Sequence, residues 1–455
     1  MEPVEGKMAR TSDLGSVSTR LHRIAELARQ APEMVIVTLA HHIDLTWMYE
    51  AYRQTRKDGA TGTDEVTAAE YAEGLDENLR SLLERFKSGS YFAPPVRRVQ
   101  IPKGDGRKTR PIGIPTFEDK VLQRAVLMVL EAVYEQDFHD FSYGFRPNRS
   151  AHKALDSLWH RLMEVGGGWV LEADISSFFD TLDHKILRSF LDQRVRDGVI
   201  RKMIDKWLKA GVLEDGQRRR TEDGTPQGGV ISPLLANIYL HEVLDRWFVE
   251  QVLPRMRGPA HLIRYADDFV IIFADESDAR RVMKVLAKRF GKYGLALHPE
   301  KTRLIDCRRP GGSGKDGGGG RPPTFDFLGF THYWGRSRKG KPVVKRKTAQ
   351  SRFSRSLVRV ALWCKRHRHK SIADQQRYLS AVLRGHYSYY GLTGNGRALG
   401  AFRHQLVRIW HYWLRRRSQR RCLTWDRFAR FLKRWPLPPP KVIHSIYRHV
   451  ANPCA

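Results

Sequence analysis

The stretch His261-Leu262-Ile263-Arg264-Tyr265-Ala266-Asp267-Asp268-Phe269-Val270-Ile271-Ile272-Phe273 sets two largely apolar runs, His261–Tyr265 and Phe269–Phe273, on either side of Ala266-Asp267-Asp268. Short apolar runs joined by so brief a polar link read as a β-hairpin. An ionised carboxylate lodged between buried strands is costly unless a cation compensates it. Adjacent strand residues face opposite ways, so Asp267 and Asp268 converge only where the chain turns. A second run of this kind, Trp169–Ile175, reads as a buried strand carrying an acid, Asp174, near its end. Three hard oxygen donors gathered at one place suit Mg²⁺, which takes one or two carboxylates plus substrate phosphates. Two such ions about 4 Å apart activate an attacking hydroxyl and stabilise a leaving oxygen.

Working outward, helical and strand patterns intermix. Residues 15–57 read as largely helical, and 64–88 carry a helix with Leu75, Leu79, Leu82, Leu83 and Phe86 on one face. Tyr91–Pro115 is extended and basic. Lys120–Tyr134 is an amphipathic helix through Leu122, Ala125, Val126, Val129, Leu130 and Val133. Asp183 is placed to cap the next helix. Ser232-Pro233 reads as an N-cap followed by Pro at the first helical position. Ser277–Tyr293 is again helical. The expected class is α+β.

The chain has 455 residues, enough for several domains. With 41% hydrophobic and 28% charged residues it can bury a core, which excludes disorder throughout. The net charge of +31 points to a polyanionic partner, nucleic acid before an anionic membrane surface. Most of that excess lies in Lys341–Ala455, where 27 Lys and Arg face only Asp374 and Asp426. Disordered basic tails lack aromatics, yet this stretch holds Trp363, Trp410, Trp413, Trp425, Trp435, Tyr387, Tyr389 and Tyr390. It is expected to be a folded helical module, with Arg403, Arg408, Arg415, Arg416 and Arg417 left to meet phosphates. Gly311–Gly320 reads as a surface loop, since it lacks the strand-to-helix context and the G-K-[ST] of a phosphate cradle.

Cys307, Cys364, Cys422 and Cys454 are too scattered for a zinc ribbon or a disulfide framework, and are expected to be reduced thiols. There is no secretory leader pattern and no apolar run long enough for a membrane span. No zincin motif and no G-x-S-x-G occurs, so a zinc protease and a serine hydrolase have no support.

Tyr265-Ala266-Asp267-Asp268 resembles the Y-A-D-D signature of reverse transcriptases, and the surrounding chain resembles the group II intron reverse transcriptase/maturase family. Asp174-Ile175-Ser176-Ser177-Phe178-Phe179-Asp180 resembles the first catalytic-aspartate motif. The run Thr225-Pro226-Gln227-Gly228-Gly229 through Ser232-Pro233 to Ile238 resembles the template- and nucleotide-positioning motif. Ile101-Pro102-Lys103, Arg110 to Thr116, Tyr143-Gly144-Phe145-Arg146-Pro147, His298-Pro299-Glu300-Lys301-Thr302 and Phe327-Leu328-Gly329-Phe330 follow the family's order. The likeness extends from about residue 50 to about residue 440. Arg384-Gly385-His386 through Tyr389-Tyr390 resembles the maturase thumb signature, with His386 where Trp is commoner.

This resemblance implies a right-hand polymerase, fingers and palm over 49–335, a helical thumb/maturase domain over 336–455, and an N-terminal helical extension over 1–48. It assigns Asp174, Asp267 and Asp268, with the Ile175 carbonyl, to catalytic Mg²⁺. Lys103 and Arg110 would hold the triphosphate. Phe179 would be the steric gate, with Phe178 its rival. Gln227 would line the nucleotide pocket, and Lys301 would protonate the leaving pyrophosphate. Phe327–Phe330 would be the primer grip. Arg384, Tyr387, Arg403, Arg408, Arg415 and Arg416 would contact RNA or DNA. The implied partners are group II intron RNA, a template/primer duplex, dNTPs and target DNA. The protein is expected in the bacterial cytoplasm, as a monomer or homodimer with no membrane partner. No H-N-H endonuclease pattern follows the thumb, so priming from existing DNA ends is expected. Two alternatives stand beside this reading: a splicing factor with an inactive polymerase site, and a domesticated relative serving defence or spacer acquisition.

Overall fold

The computed structural model describes residues 11–103, 108–214, 217–219, 228–309, 323–417 and 423–445. Two compact units partition the chain. The first takes Met1–Ala154, Ala173–Phe269 and Ser277–Arg303, and the second Leu155–Glu172, Val270–Glu276 and Leu304–Ala455. Helices and strands are mixed in an α+β arrangement, and no described helix is long and apolar enough to cross a membrane.

In the first unit, β1 (Val96–Lys103) and β2 (Lys108–Ile114) form an antiparallel ladder from Arg97 opposite Ile114 to Lys103 opposite Lys108. The basic stretch expected to be merely extended is therefore a hairpin. Two further strands, β4 (Val212–Glu214) and β5 (Gln217–Arg219), complete a sheet in the order β2-β1-β4-β5. The chain also builds β3 (Trp169–Ala173), β6 (Ala260–Tyr265), β7 (Asp268–Phe273) and β8 (Arg303–Asp306) into a sheet ordered β6-β7-β3-β8.

The helix Phe117–Tyr134 begins three residues before the periodicity suggested, because the Thr116 side chain accepts from the Asp119 amide and caps it. Val121, Leu122, Ala125, Val126, Val129, Leu130 and Val133 are all fully buried, as in a helix packed on several sides. Asp183 caps His184–Arg194 as expected, accepting from the Lys185 and Ile186 amides. Ser232 does not cap the helix Ser232–Leu240. It is the first helical residue, and the cap position, Ile231, makes no side-chain cap bond. Instead the Gln123 side-chain Oε1 accepts from the Val230 and Ile231 amides at 2.7 and 3.3 Å. Beyond Leu240 the helix widens into a π turn at His241–Asp245.

The second unit contains β9 (Phe325–Phe327), β10 (Phe330–Arg336) and β11 (Pro342–Thr348), ordered β11-β10-β9. Helices Gln350–Arg366, Ile372–Tyr390, Gly396–Leu414 and Trp425–Arg434 follow. Leu379, Leu383, Leu399, Phe402, Leu406, Trp410 and Phe428 form their core. The basic region is thus folded, and several of its aromatics are core. The Gly311–Gly320 segment lies outside the described residues. Cys307 and Cys364 are buried free thiols.

Candidate active site

Asp174 follows directly on β3. The chain there runs antiparallel to Ala296–His298: the Ser176 amide donates to Ala296 and the His298 amide to the Asp174 carbonyl, both at 2.8 Å, with Ile175 opposite Leu297. Because the flanking residues make both bonds, the N–H and C=O of Ile175 point away from that partner, which leaves its carbonyl directed elsewhere. The turn from His298 to Lys301, closed by the Lys301 amide on the His298 carbonyl at 3.2 Å, delivers the Lys301 ammonium into a salt bridge with Asp174 Oδ2.

Asp267 lies in the turn between β6 and β7, after Ala266 in the left-handed region at φ 56°. Burial raises the Asp267 carboxyl above the usual carboxylate range. The negative charge of Asp174 raises it further, while a backbone hydrogen bond, Arg110 and Lys301 pull it down. Four of the expected residues therefore share one electrostatic neighbourhood inside the first unit. Asp268 opens β7 and is exposed. Among the described residues no three His, Cys, Asp or Glu side chains form a ready metal cage; Asp174 and Asp267 are the two expected carboxylates that feel each other's charge. The pair fits a divalent cation. Two carboxylates in mutual repulsion, one of them resisting ionisation through burial, are relieved by a bound positive charge.

The turn itself is anchored from below. Arg264 on β6 is fully buried and forms a bidentate ion pair with Asp245, at 2.8 and 2.5 Å, whose carboxylate is equally buried. Burial acts to raise the Asp245 carboxyl, but the charge and hydrogen bonds of Arg264 outweigh it and hold it low. The remaining Arg264 donor reaches Asn237 Oδ1 at 2.9 Å and the Ala266 carbonyl at 3.2 Å. The Asn237 amide in turn donates to the Gly144 carbonyl at 2.7 Å. A Cβ on Gly144 would lie 2.2 Å from the Ala266 nitrogen, so only glycine lets these backbones touch. Sequence reasoning missed Arg264 and Asp245. Arg264 carried the same signal as the aspartates, a charge inside an apolar strand, while Asp245 carried none.

Phe178 is buried against Tyr239 and Phe179, whereas Phe179 is only half-buried. The first is core and the second is open to a ligand. Arg110 is exposed on β2 opposite Ile101, with Lys103 two positions along the same ladder. Gln227 lies outside the described residues. Gly228, at φ 121°, sits so close to β2 that a Cβ would meet the Gly113 carbonyl at 2.4 Å. Behind it, Gln123 donates to Asp119 Oδ2 at 2.9 Å, and Asp119 Oδ1 accepts from Trp207 and Tyr91. Burial pushes the Asp119 carboxyl up to about 6 against those three hydrogen bonds.

In the second unit Arg384, Arg408, Arg415 and Arg416 are exposed, and the Arg416 guanidinium stacks 3.8 Å over Tyr412. Two expected nucleic-acid contacts are corrected. Tyr387 is buried, with its hydroxyl donating to the Pro438 carbonyl. Arg403 is half-buried and directs Nε and Nη2 to the Pro438 and Leu437 carbonyls at 3.2 and 3.4 Å. Phe327 and Phe330 are buried strand residues flanking the Leu328-Gly329 turn.

The family described as "Reverse transcriptase (RNA-dependent DNA polymerase)" matches residues 101–332. Protein YkfC of Escherichia coli K12 is 34% identical over 390 residues, covering 76% of this chain and 97% of that protein. Group II intron-encoded protein LtrA of Lactococcus lactis subsp. cremoris is 38% identical over 253 residues, covering 53% of this chain and 42% of that protein. Nuclear intron maturase 2, mitochondrial, of Arabidopsis thaliana is 30% identical over 229 residues, covering 39% of this chain and 31% of that protein. The chain thus spans almost all of the first relative and under half of the other two. Taken with the aspartate-bearing turn and its neighbours, these matches mean that the chain belongs to the reverse transcriptase family, among the group II intron reverse transcriptases and maturases.

Proposed function

We propose that this protein is an RNA-directed DNA polymerase of a group II intron, which copies the intron RNA into cDNA and assists its splicing. The observation that carries the reading is the ion pair of Asp174 with Lys301, together with the turn between two buried strands that bears Asp267, whose carboxyl feels the charge of Asp174. The reaction joins a primer 3′-OH to the α-phosphate of a dNTP and releases pyrophosphate. Mg²⁺ supplies Lewis-acid activation of the hydroxyl and charge neutralisation on the phosphates. Asp174, Asp267 and Asp268 would hold it, with the Ile175 carbonyl in support. Asp268 adds a negative charge to the same turn.

Arg110, and Lys103 beside it on the ladder, grip the triphosphate through charge-assisted bonds. Lys301 moves from Asp174 to the departing pyrophosphate and gives it a proton. The Phe179 ring fills the space under the sugar and excludes a 2′-OH. Gln227 belongs to the nucleotide pocket by its place in the motif. The right-hand layout follows: fingers and palm over 49–335, thumb and maturase over 336–455, and a helical extension over 1–48. Arg384, Arg408, Arg415 and Arg416 meet phosphates of the intron RNA, the template/primer duplex or target DNA, and such binding falls steeply with salt.

Primer extension on an RNA template with dNTPs and Mg²⁺ tests the reading, with Asp267→Ala as the inactive control. Wild-type protein that makes no cDNA leaves only the splicing-factor alternative.

A further inference from the structure

Phe145 is the residue that the fold and the proposed chemistry leave unexplained. It is a large apolar side chain with 58% of its surface exposed. Its backbone sits at φ 55°, a region unfavourable for a bulky residue. Both neighbours force that conformation. Gly144 is pressed against Ala266 and its carbonyl is held by Asn237. Arg146 is buried in an ion pair with Glu135 at 2.9 Å, and donates to the His139 and Ser142 carbonyls at 2.7 and 2.8 Å. The chain is thus clamped on either side of Phe145, and the ring projects into solvent 6.4 Å from the Tyr265 ring. Strain of this kind persists only where the surroundings over-determine it, and it clusters at ligand contacts.

Position narrows the ligand. Phe141–Tyr143 pairs with β6 through Arg264: the Arg264 amide donates to Phe141 at 2.9 Å and the Tyr143 amide to Arg264 at 2.8 Å. In the sheet, β6 is followed by β7 and then β3. The Asp267 turn therefore has Asp174 and Phe179 on its β3 side, and Phe145 on its β6 side. If the incoming nucleotide lies over Phe179, the strand that attacks it lies on the other flank. We infer that Phe145 is a contact for the terminal base pair of the template/primer duplex, its ring packing against the nucleotide that carries the attacking 3′-OH. This rests on the polymerase reading above and adds to it the residue that receives the duplex end.

The test compares wild type with Phe145→Gly and Phe145→Tyr. Glycine removes the ring and relieves the backbone, so the thermal midpoint stays level or rises. Affinity for a recessed RNA/DNA template/primer duplex, read by fluorescence anisotropy, is expected to fall at least about fivefold, and tyrosine is expected to restore it. The KM for dNTP is expected to move less than twofold. Equal duplex affinity for wild type and Phe145→Gly overturns the inference, as does a defect confined to the KM for dNTP. Anisotropy needs no catalysis. A wild type that binds the duplex without extending it therefore sinks the polymerase reading while leaving the Phe145 comparison decisive.

Discussion

Removing the Asp245 carboxylate should separate stability from positioning. In Asp245→Ala the Arg264 guanidinium stays fully buried with its bidentate partner gone. Breaking a buried pair from one side costs about 3–5 kcal/mol, because an uncompensated charge is left behind. Replacing both partners, in Arg264→Met/Asp245→Leu, removes both charges at similar volume. Such exchanges are commonly neutral or stabilising. The double variant should therefore recover most of the thermal midpoint that the single variant loses. It should not recover the rate, because the Ala266 carbonyl and Asn237 lose the donor that Arg264 supplies at 3.2 and 2.9 Å. A displacement of about 1 Å in the turn bearing Asp267 lowers the rate by roughly 10²-fold. Single-nucleotide incorporation on a primed RNA template, measured beside thermal unfolding, resolves the two effects. A double variant that extends at the wild-type rate would refute the anchoring role. A single variant whose midpoint does not move would refute the buried pair.

Other outcomes follow from the same geometry. Phe178→Ala should destabilise by about 3–5 kcal/mol, while Phe179→Ala should fold normally and incorporate rNTPs more readily in competition with dNTPs. Lys301→Ala should lower the incorporation rate by about 10²–10⁴-fold, as for loss of a general acid, and pre-steady-state extension with and without added pyrophosphate checks it. His386 is buried and stacked 3.7 Å from Phe402, and burial pulls its pKa down to about 4. The unfolded chain, with a His pKa of about 6.5, takes up the proton first, so this contribution is present above about pH 6.5 and is lost as pH falls towards 4. His386→Phe should flatten that acid limb in thermal melts. Asp119 has the opposite sign, because its folded pKa of about 6 exceeds the unfolded value. The folded state gains as pH falls from about 6 to 4, so the stability of the wild type relative to Asp119→Asn should rise over that window.

The elements legible in the sequence were those in which one pattern dominated. The hairpin announced itself by acids inside apolar runs, and Phe117–Tyr134 by a helical stripe so pronounced that only its capped first turn was missed. What the sequence hid were interactions between distant residues. Gln123 satisfies amides more than a hundred positions away, and nothing local distinguishes it from a solvated glutamine. The rivalry of Phe178 and Phe179 needed a third dimension, since both suit a core. Charge counting could not tell that Arg403 turns part of its guanidinium to carbonyls of its own chain, while Arg408 and Arg415 are exposed. Tyr387 was mistaken for a ligand contact because a tyrosine reads alike in a core and on a binding face. His386, read as a departure from tryptophan, proves to serve as a flat neutral ring.

At Gly228 and Gly113 two stretches of main chain approach so closely that a Cβ on Gly228 would meet both the Gly113 carbonyl and the Ile112 methyl. Spacing elsewhere in a protein can be retuned by exchanging a valine for an alanine, but a backbone contact offers no such adjustment. The hairpin that carries Arg110 and the loop that leads into Ser232–Leu240 are therefore locked at one separation. With Phe179 in its proposed place under the sugar, a lineage that adapts this polymerase to a bulkier nucleotide makes room at that half-open ring.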